Sequence, residues 1–456
     1  MGRQLSSLEQ FFYYRSKWGL HSCFLLGVTL DRTPSQAQFA HAIHECLVKF
    51  PQLTTTVVEL EQGTPTFANI TVPLRYDDFV EVKQWGQWDA QLANEIFKEY
   101  NFQYTVEKPL WRILAMPKSS TFVLLVDHVL FDGMSTVNLW RCLLENLGPE
   151  STSDVLYEPS NEADQLGQRP HPYDSWPVGW SWRLKRALVP WIFYYAPRTV
   201  TGVNEQLVHF SQYTLQDNLL QRNKPEEYKI YNDNDRWVLN IKGEPMAKLI
   251  TRCKEHQVSL TSYLVSVFAL ALSYQAEGNI RVDIPMNTRN KCKETVGVTE
   301  QECLLGNFVG GISHTYQAQP GQDIWRMARE AQTTVVQKSQ DDIDDTINEV
   351  KLLDVVSIQK FLAKKLEERW PAGTFEVTNL GFQKFPGDDG EQGVEFQVQD
   401  AFFDEPQGIS DIFTVAAIST KHGGLNCCIS SPVSLRNEFQ PVWDRVKKEF
   451  GVEDKR

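Results

Sequence analysis

Asp127-His128-Val129-Leu130-Phe131-Asp132-Gly133-Met134-Ser135 is the stretch on which the reading of this chain turns. It follows Thr121 to Val126, a β-branched and apolar run with the character of a buried strand. It precedes Trp140, Leu143, Leu144 and Leu147, spaced i, i+3, i+4, i+7, the apolar stripe of a helix that Gly148-Pro149 then stops. His128 therefore falls where a strand ends, and Asp132-Gly133 make the turn into the helix, where open sheets place chemistry. Imidazole titrates near neutral pH, so it can take a proton from an alcohol or amine and return it to a leaving group. Asp132 is too constrained by the turn to be a second base at the same atom. It suits holding the turn, by accepting backbone N–H groups or pairing with an Arg. Gly133 removes a side chain where a substrate would approach the backbone. The pattern alone leaves open a buried His satisfied by its neighbours beside an ordinary Asp-Gly turn.

The chain has 456 residues, enough for two domains with substantial cores, and its 42% hydrophobic and 23% charged content is that of a globular protein. The net charge of −13 (45 minus 58) argues against nucleic-acid binding. Eight Cys occur with no C-x-x-C pair, only Cys427-Cys428 adjacent, which implies reduced thiols in a cytoplasmic setting and no metal site. Glu9 and Arg15 interrupt any early apolar run, so no signal peptide is expected, and no stretch reaches the roughly 18 apolar residues of a spanning helix.

Around the motif the first half reads as a mixed α/β unit, residues 1–150. Residues 5–16 form a short helix capped by Ser6 or Ser7, packing on its own domain or serving as a surface helix. Cys23 to Leu30 is a strand. Thr33-Pro34 starts a helix whose apolar face is Phe39, Ile43, Cys46, Leu47 and Phe50. Thr54 to Leu60 and Thr66 to Val72 form a hairpin around Glu61-Gln62-Gly63, and residues 89–101 a polar helix. Leu110 to Met116 and Thr121 to Val129 form an antiparallel pair that delivers His128 at a sheet's rim.

Residues 151–200 are a linker plus an aromatic and basic segment. Within 149–175 polar residues dominate without a period. Within 176–195, four Trp, two Tyr, one Phe and three cations fall together, with Pro177 and Pro190 breaking the run. Rings beside Lys and Arg suit the headgroup zone of a bilayer. Two readings stand: docking on a membrane or lipid-droplet surface, or a connector whose aromatics pack over the protein.

The second half, 201–456, is again mixed α/β. Gln206 to Leu215 is a strand, Pro245 to His256 a helix, and Leu260 to Tyr274 a helix apolar nearly all round and hence buried. Ile280 to Arg289 is a strand running into a polar end. Gly306, Gly310 and Gly311 indicate close backbone approach or a bulge, not a phosphate loop. Residues 322–338 and 341–367 are helical, the second with a solvated charged face. Val394 to Phe403, Asp411 to Thr420 and Leu425 to Ser430 are strands, the last two a hairpin through His422-Gly423-Gly424, and a helix spans about 435–449.

His128-x-x-x-Asp132-Gly133 resembles the signature of the CoA-dependent acyltransferase superfamily, which includes chloramphenicol acetyltransferase, plant BAHD acyltransferases and peptide-synthetase condensation domains. Leu5 to Arg15, Pro109-Leu-Trp-Arg-Ile113, Phe131 to Ser135 and Gly306-Asn307 are similar to one branch, the fungal alcohol O-acetyltransferases. The BAHD string Asp-Phe-Gly-Trp-Gly is absent, and residue 127 is Asp where condensation domains commonly carry His. The resemblance implies two chloramphenicol-acetyltransferase-like halves with a tunnel between them. It implies that Asp132 pairs with Arg289, which Asn287 precedes by two positions, and that Gly306 and Asn307 border the tunnel. It also implies that the strand bearing Thr378 and Asn379 sets a donor opposite His128 for a tetrahedral oxyanion. An Asn-x-Gly strand-end turn explains Asn379 equally well.

The function so implied is acetyl transfer from acetyl-CoA, or another acyl-CoA, to an alcohol, giving an ester in secondary metabolism, with His128 as general base and Asp132 beside it. No bound cofactor is implied, since acyl-CoA is a co-substrate. N-acetylation of an amine by the same mechanism is the alternative, and a non-catalytic lipid-surface member is a third reading. The location implied is cytoplasmic, with peripheral contact to endoplasmic reticulum or lipid droplets through 176–195.

Overall fold

The strand leading into the motif lies at the middle of a five-stranded sheet. The computed structural model describes residues 2–452 other than 61–62, 152, 160–169, 202–206, 209, 211–212, 216–218, 221–228, 231–233 and 392. The sheet runs Val398–Asp404, Phe24–Leu30, Thr121–Val126, Trp111–Met116, Val80–Val82. The expected antiparallel pair is present, with Trp111 opposite Val126 and Met116 opposite Thr121. Its second strand stops at Val126, two residues short of His128. The helix Gly133–Glu145 packs the stripe read from the sequence onto this sheet: Trp140, Leu143, Leu144 and Leu147 are buried, and Trp140 Nε1 donates to Leu26 O at 2.9 Å.

A second sheet of six strands runs Asn234–Ile241, Gly424–Pro432, Phe413–Thr420, Phe375–Gln383, Ile280–Asn287, Val309–Tyr316. The pairings of 375–383 with its two neighbours are parallel and the rest antiparallel. The helix Leu260–Ser273 is buried on every face, as its uniform apolarity requires. Each sheet thus carries its own core, and the molecule is mixed α/β with two lobes.

The lobes are laced together by two buried ion pairs. The strand Val398–Asp404 lies in the second half of the sequence yet completes the first sheet, pairing with Phe24–Leu30. At its end Asp404 accepts from Arg236 Nε at 2.8 Å, both side chains fully buried, and the guanidinium lies 4.2 Å over Phe97. The other pair lies at the motif.

Several local expectations shift. The helix expected at Thr33-Pro34 begins at Gln36, capped by Ser35, because Thr33 Oγ1 bonds Pro117 O and Ser120 instead. The helix Ala90–Glu99 is not polar throughout: Leu92, Ala93, Ile96 and Phe97 are buried. The N-terminal helix Ser7–Lys17 does not pack only on its own lobe. Its Leu8 and Phe12 share a cluster with Cys292, Cys303, Phe308 and Ile347 of the second. Within the expected linker, Val155–Tyr157 pairs with Leu74–Arg75 and Pro172–Ser175 forms a 3-10 turn; residues 160–169 lie outside the described residues. Pro190 does not break the aromatic segment, which is one helix, Trp180–Tyr195, capped by Gly179. Pro190 is exposed, so water can serve the carbonyl that its missing N–H leaves. Of the expected strand 206–215, parts lie outside the described residues, and Leu207 makes only an isolated bridge to Asn279. The expected helix 341–367 is three pieces; its charged face is largely exposed, as at Asp344, Asp345, Glu349, Lys360 and Glu367, while Ile347, Lys351, Ile358, Leu362 and Leu366 are buried on the other side. Among the described residues no single helix is long and apolar enough to cross a membrane.

Candidate active site

The turn from strand to helix is fixed residue by residue. Asp127 is buried; its Oδ1 accepts Val129 N at 2.8 Å and its Oδ2 accepts the Tyr104 hydroxyl at 3.0 Å. Asp132 caps the helix, its Oδ1 accepting both N and Oγ of Ser135 at 2.9 and 2.8 Å. Gly133 lines the cavity in front of His128, and its lack of a side chain also serves packing. A Cβ there would sit 2.5 Å from Leu380 Cδ2, so the missing side chain admits the second lobe.

Arg289 reaches across to this turn. Its Nη1 and Nη2 each donate to one Asp132 oxygen at 2.7 Å, a bidentate pair with both side chains under 10% exposed. The remaining donors are also used: Nε to Cys303 O at 2.6 Å, Nη1 to Asn287 Oδ1 at 3.2 Å, and Nη2 to Ser135 Oγ at 3.0 Å and Gly306 O at 3.3 Å. Phe308 N donates to Asp132 Oδ2 at 2.9 Å. Burial alone would raise the Asp132 carboxyl. Arg289 and these N–H groups hold it below its ordinary value, so it stays charged. Both carboxylate oxygens of Asp132 are thus engaged in holding the turn.

His128 is held by Asn307. The Asn307 amide nitrogen donates to His128 O at 2.7 Å and Val129 O at 2.9 Å, which fixes the amide's orientation and points Oδ1 at His128 Nδ1, 3.2 Å away. An acceptor at that position requires the proton on Nδ1, so Nε2 carries the lone pair. Phe12 stacks on the ring at 3.8 Å and 7°, and Phe24 lies at 4.9 Å. Burial, with Arg15 nearby, pulls the imidazole down to about 3, so it is uncharged near neutral pH. His171 and Tyr173 support the far side: His171 Nε2 bonds Asn307 O at 2.8 Å and Tyr173 bonds Thr288 Oγ1 at 2.6 Å.

A cavity of about 610 Å³ opens in front of His128, lined from both lobes by Phe11, Phe12, Gly133, Met286, Asn287, Gly311 and Thr378 among others. Gly306 and Asn307 do not line it. They border a second cavity of about 350 Å³ behind the motif, and Phe308 is shared by both. Asn379 lines the main cavity, but its Nδ2 donates to Thr261 Oγ1 and its Oδ1 accepts Gly381 N, the strand-end turn.

Sequence reading did not single out Phe12 and Phe24 against the imidazole, nor Arg15, Asp283, Glu376, Glu405 and Asp411, which line the same cavity. Phe12 and Arg15 lie within the quoted N-terminal stretch. The four carboxylates are scattered over the second half with no spacing to betray them. Eight Cys are free and buried, and among the described residues no group of His, Cys, Asp and Glu is placed to hold a metal.

Removing one member of a buried pair leaves the other uncompensated, at a cost of about 3–5 kcal/mol. Arg289→Ala is therefore expected to lower the melting temperature and turnover together, and Arg289→Lys, which loses the bidentate geometry, to fall between. Unchanged melting and turnover in Arg289→Ala would remove the clamp from the account.

The chain matches the alcohol acetyltransferase family over residues 4–446. It is 35% identical to N-acetyltransferase SLI1 of Saccharomyces cerevisiae, over 98% of this chain and 99% of that one. Among solved structures, the TRI3 trichothecene 15-O-acetyltransferase from Fusarium sporotrichioides superposes with a TM-score of 0.66 at 9% identity, covering 97% and 95% of the two chains. The first condensation domain of the calcium-dependent antibiotic synthetase does so at 0.62 and 12%, covering 98% and 95%. These two share the two-lobed fold. With its His128 turn clamped from the opposite lobe, this chain is an acyltransferase and belongs to the alcohol acetyltransferase family.

Proposed function

We propose that this enzyme transfers the acetyl group of acetyl-CoA to a primary amine in one direct step. The observation that carries the chemistry is the bare Nε2 of an uncharged His128 beside a cavity lined by both lobes. The amine nitrogen attacks the thioester carbon, His128 Nε2 takes its proton, the carbon–sulfur bond breaks, and the proton passes to the CoA sulfur. Because a thioester is already activated, no acyl-enzyme is required. Thr378, a buried hydroxyl on the cavity wall, is the donor for the oxyanion; Asn379 is engaged in its turn.

Two observations favour an amine over the alcohol that heads the sequence expectations. One is the name of the relative that matches end to end, an N-acetyltransferase. The other is the cavity's acidic wall. Glu376 and Glu405 lie within hydrogen-bond reach of each other, as do Asp411 and Asp283. Asp411 Oδ1 is buried with no donor. Burial and the neighbouring carboxylates push Glu376 and Asp411 well up, and burial raises Glu405 to about 7. Cations stand among these carboxyls: Arg281 is bound to Asp283, Lys365 bonds Ser410 beside Asp411, and Arg15, over Phe12, faces Glu405 and Glu376, while His21 is kept neutral by burial. An ammonium group arriving beside these raised carboxyls would favour their ionised form, so the wall suits a cationic acceptor. An alcohol brings no charge to such a wall, which favours reading it as the acceptor's side of the cavity.

Incubation with acetyl-CoA and a matched pair, decylamine and decanol, tests the reading by product mass. Amide is expected to dominate, and His128→Ala to lose about 10²–10⁴-fold in turnover. Glu376→Gln and Asp411→Asn are expected to raise the amine KM about tenfold with the alcohol KM unmoved. Ester without amide would replace the amine by an alcohol; no product and no thioester turnover would leave a non-catalytic lipid-surface member.

A further inference from the structure

The helix Trp180–Tyr195 carries a face that nothing described in the molecule covers. Trp180, Leu184, Leu188, Trp191 and Tyr195 fall at steps of four, four, three and four, a single stripe. Trp180 is 81% exposed, Trp191 66%, Tyr194 78% and Tyr195 73%. Of the thirteen exposed large hydrophobic residues described, seven are on this one helix. The opposite face is anchored: Trp182 and Val189 are buried, Trp182 Nε1 donates to Asp345 at 2.5 Å, and Arg186 pairs with Asp354 at 3.1 Å. The exposure therefore belongs to a helix fixed to the body. At about 1.5 Å per residue its sixteen residues lay down an apolar strip about 24 Å long.

Charge identifies the occupant. The chain carries −13, yet residues 175–204 contain no Asp or Glu and four cations, Arg183, Lys185, Arg186 and Arg198. Arg183 and Lys185 are exposed and flank the stripe. Rings and aliphatic side chains on one face with Lys and Arg at its margins match the interface of an anionic bilayer, where rings sit at headgroup level and cations meet lipid phosphate. A protein partner would not require the local reversal of charge.

Position adds a function. Phe193 of the helix lies 6.3 Å from Phe361, which lies 6.4 Å from Phe11, and Phe11 lines the His128 cavity. Leu353 lines the same cavity, next to the Asp354 that holds Arg186. The helix that carries the strip is thus anchored, through its other face, beside the cavity.

We propose that this helix lies in the headgroup layer of an anionic phospholipid membrane and sets the cavity mouth against it, so that a lipophilic acceptor enters from the bilayer. The contact is peripheral and reversible. It does not depend on whether the acceptor nucleophile is an amine.

The test is flotation of the full chain with vesicles of phosphatidylcholine alone and of phosphatidylcholine with 30% phosphatidylserine. Wild type is expected to float with the anionic vesicles and to float less as salt rises. Trp180→Ser/Trp191→Ser is expected to lose at least tenfold in partition, and Arg183→Glu/Lys185→Glu to lose the phosphatidylserine dependence. These exposed positions leave the fold alone, so melting temperature and turnover of a short water-soluble acceptor should stay at wild-type values. Brominated lipids should quench wild-type tryptophan fluorescence, and quench it less in the Trp180→Ser/Trp191→Ser variant. Failure of wild type to float, or equal flotation of the aromatic variant, overturns the proposal. So does a wild-type dimer in sedimentation that the aromatic variant dissolves, which would assign the face to a second copy.

Discussion

A charge buried at a lobe boundary must find its opposite, and here Asp132 finds Arg289 from 157 residues away. Neither side chain reaches solvent to any useful extent, so each would be strongly destabilising alone. Together they form two parallel charge-assisted hydrogen bonds, and the unused edges of both are taken up by Ser135, Phe308 N, Cys303 O and Asn287. The pair therefore does three things with one geometry. It caps the helix after the motif, shapes the turn before it, and fixes the second lobe's position relative to both. Arg236 with Asp404 repeats the principle elsewhere at the boundary.

From that constraint the state of His128 follows. The same segment that gives Phe308 N to Asp132 places Asn307 one residue earlier, where its amide bridges the carbonyls of 128 and 129. With that amide locked, the imidazole has one tautomer that makes a hydrogen bond, and its free nitrogen is left for chemistry. Phe12 on the ring face completes the confinement. The enclosure that depresses the imidazole's affinity for a proton also keeps the base in its active form without help from a carboxylate. Asp132, the residue that sequence logic sets beside His128 in the motif, contributes through the backbone it holds.

The sequence was legible where periodicity and turn chemistry are local. The strand Thr121–Val126, the stripe from Trp140 to Leu147 and the hairpin through His422 are present as read. The partners of Asp132 emerged from the family resemblance, because a pairing across 157 residues leaves no periodic trace. What could not be read were contacts made by common residue types at unremarkable positions. Gly133 is small to admit Leu380, a reason invisible without the second lobe. Nothing in the residues of the strand Val398–Asp404 says that it joins the first sheet. Pro190 suggested a break, yet it lies on the exposed side of a continuous helix, where the loss of one backbone bond is tolerated. The acidic wall is assembled from four segments whose carboxylates look like ordinary surface charge in a chain of this composition.

The central claim is that His128 is an uncharged imidazole with its proton on Nδ1. ¹⁵N-edited histidine spectra of the full-length protein, with the His128 signals assigned by their loss in His128→Gln, measure this directly among the nine histidines. The account predicts a neutral ring protonated at Nδ1 from pH 8 down to pH 5, consistent with a value pulled down to about 3. An imidazolium at pH 6, or a neutral ring with its proton on Nε2, would contradict it.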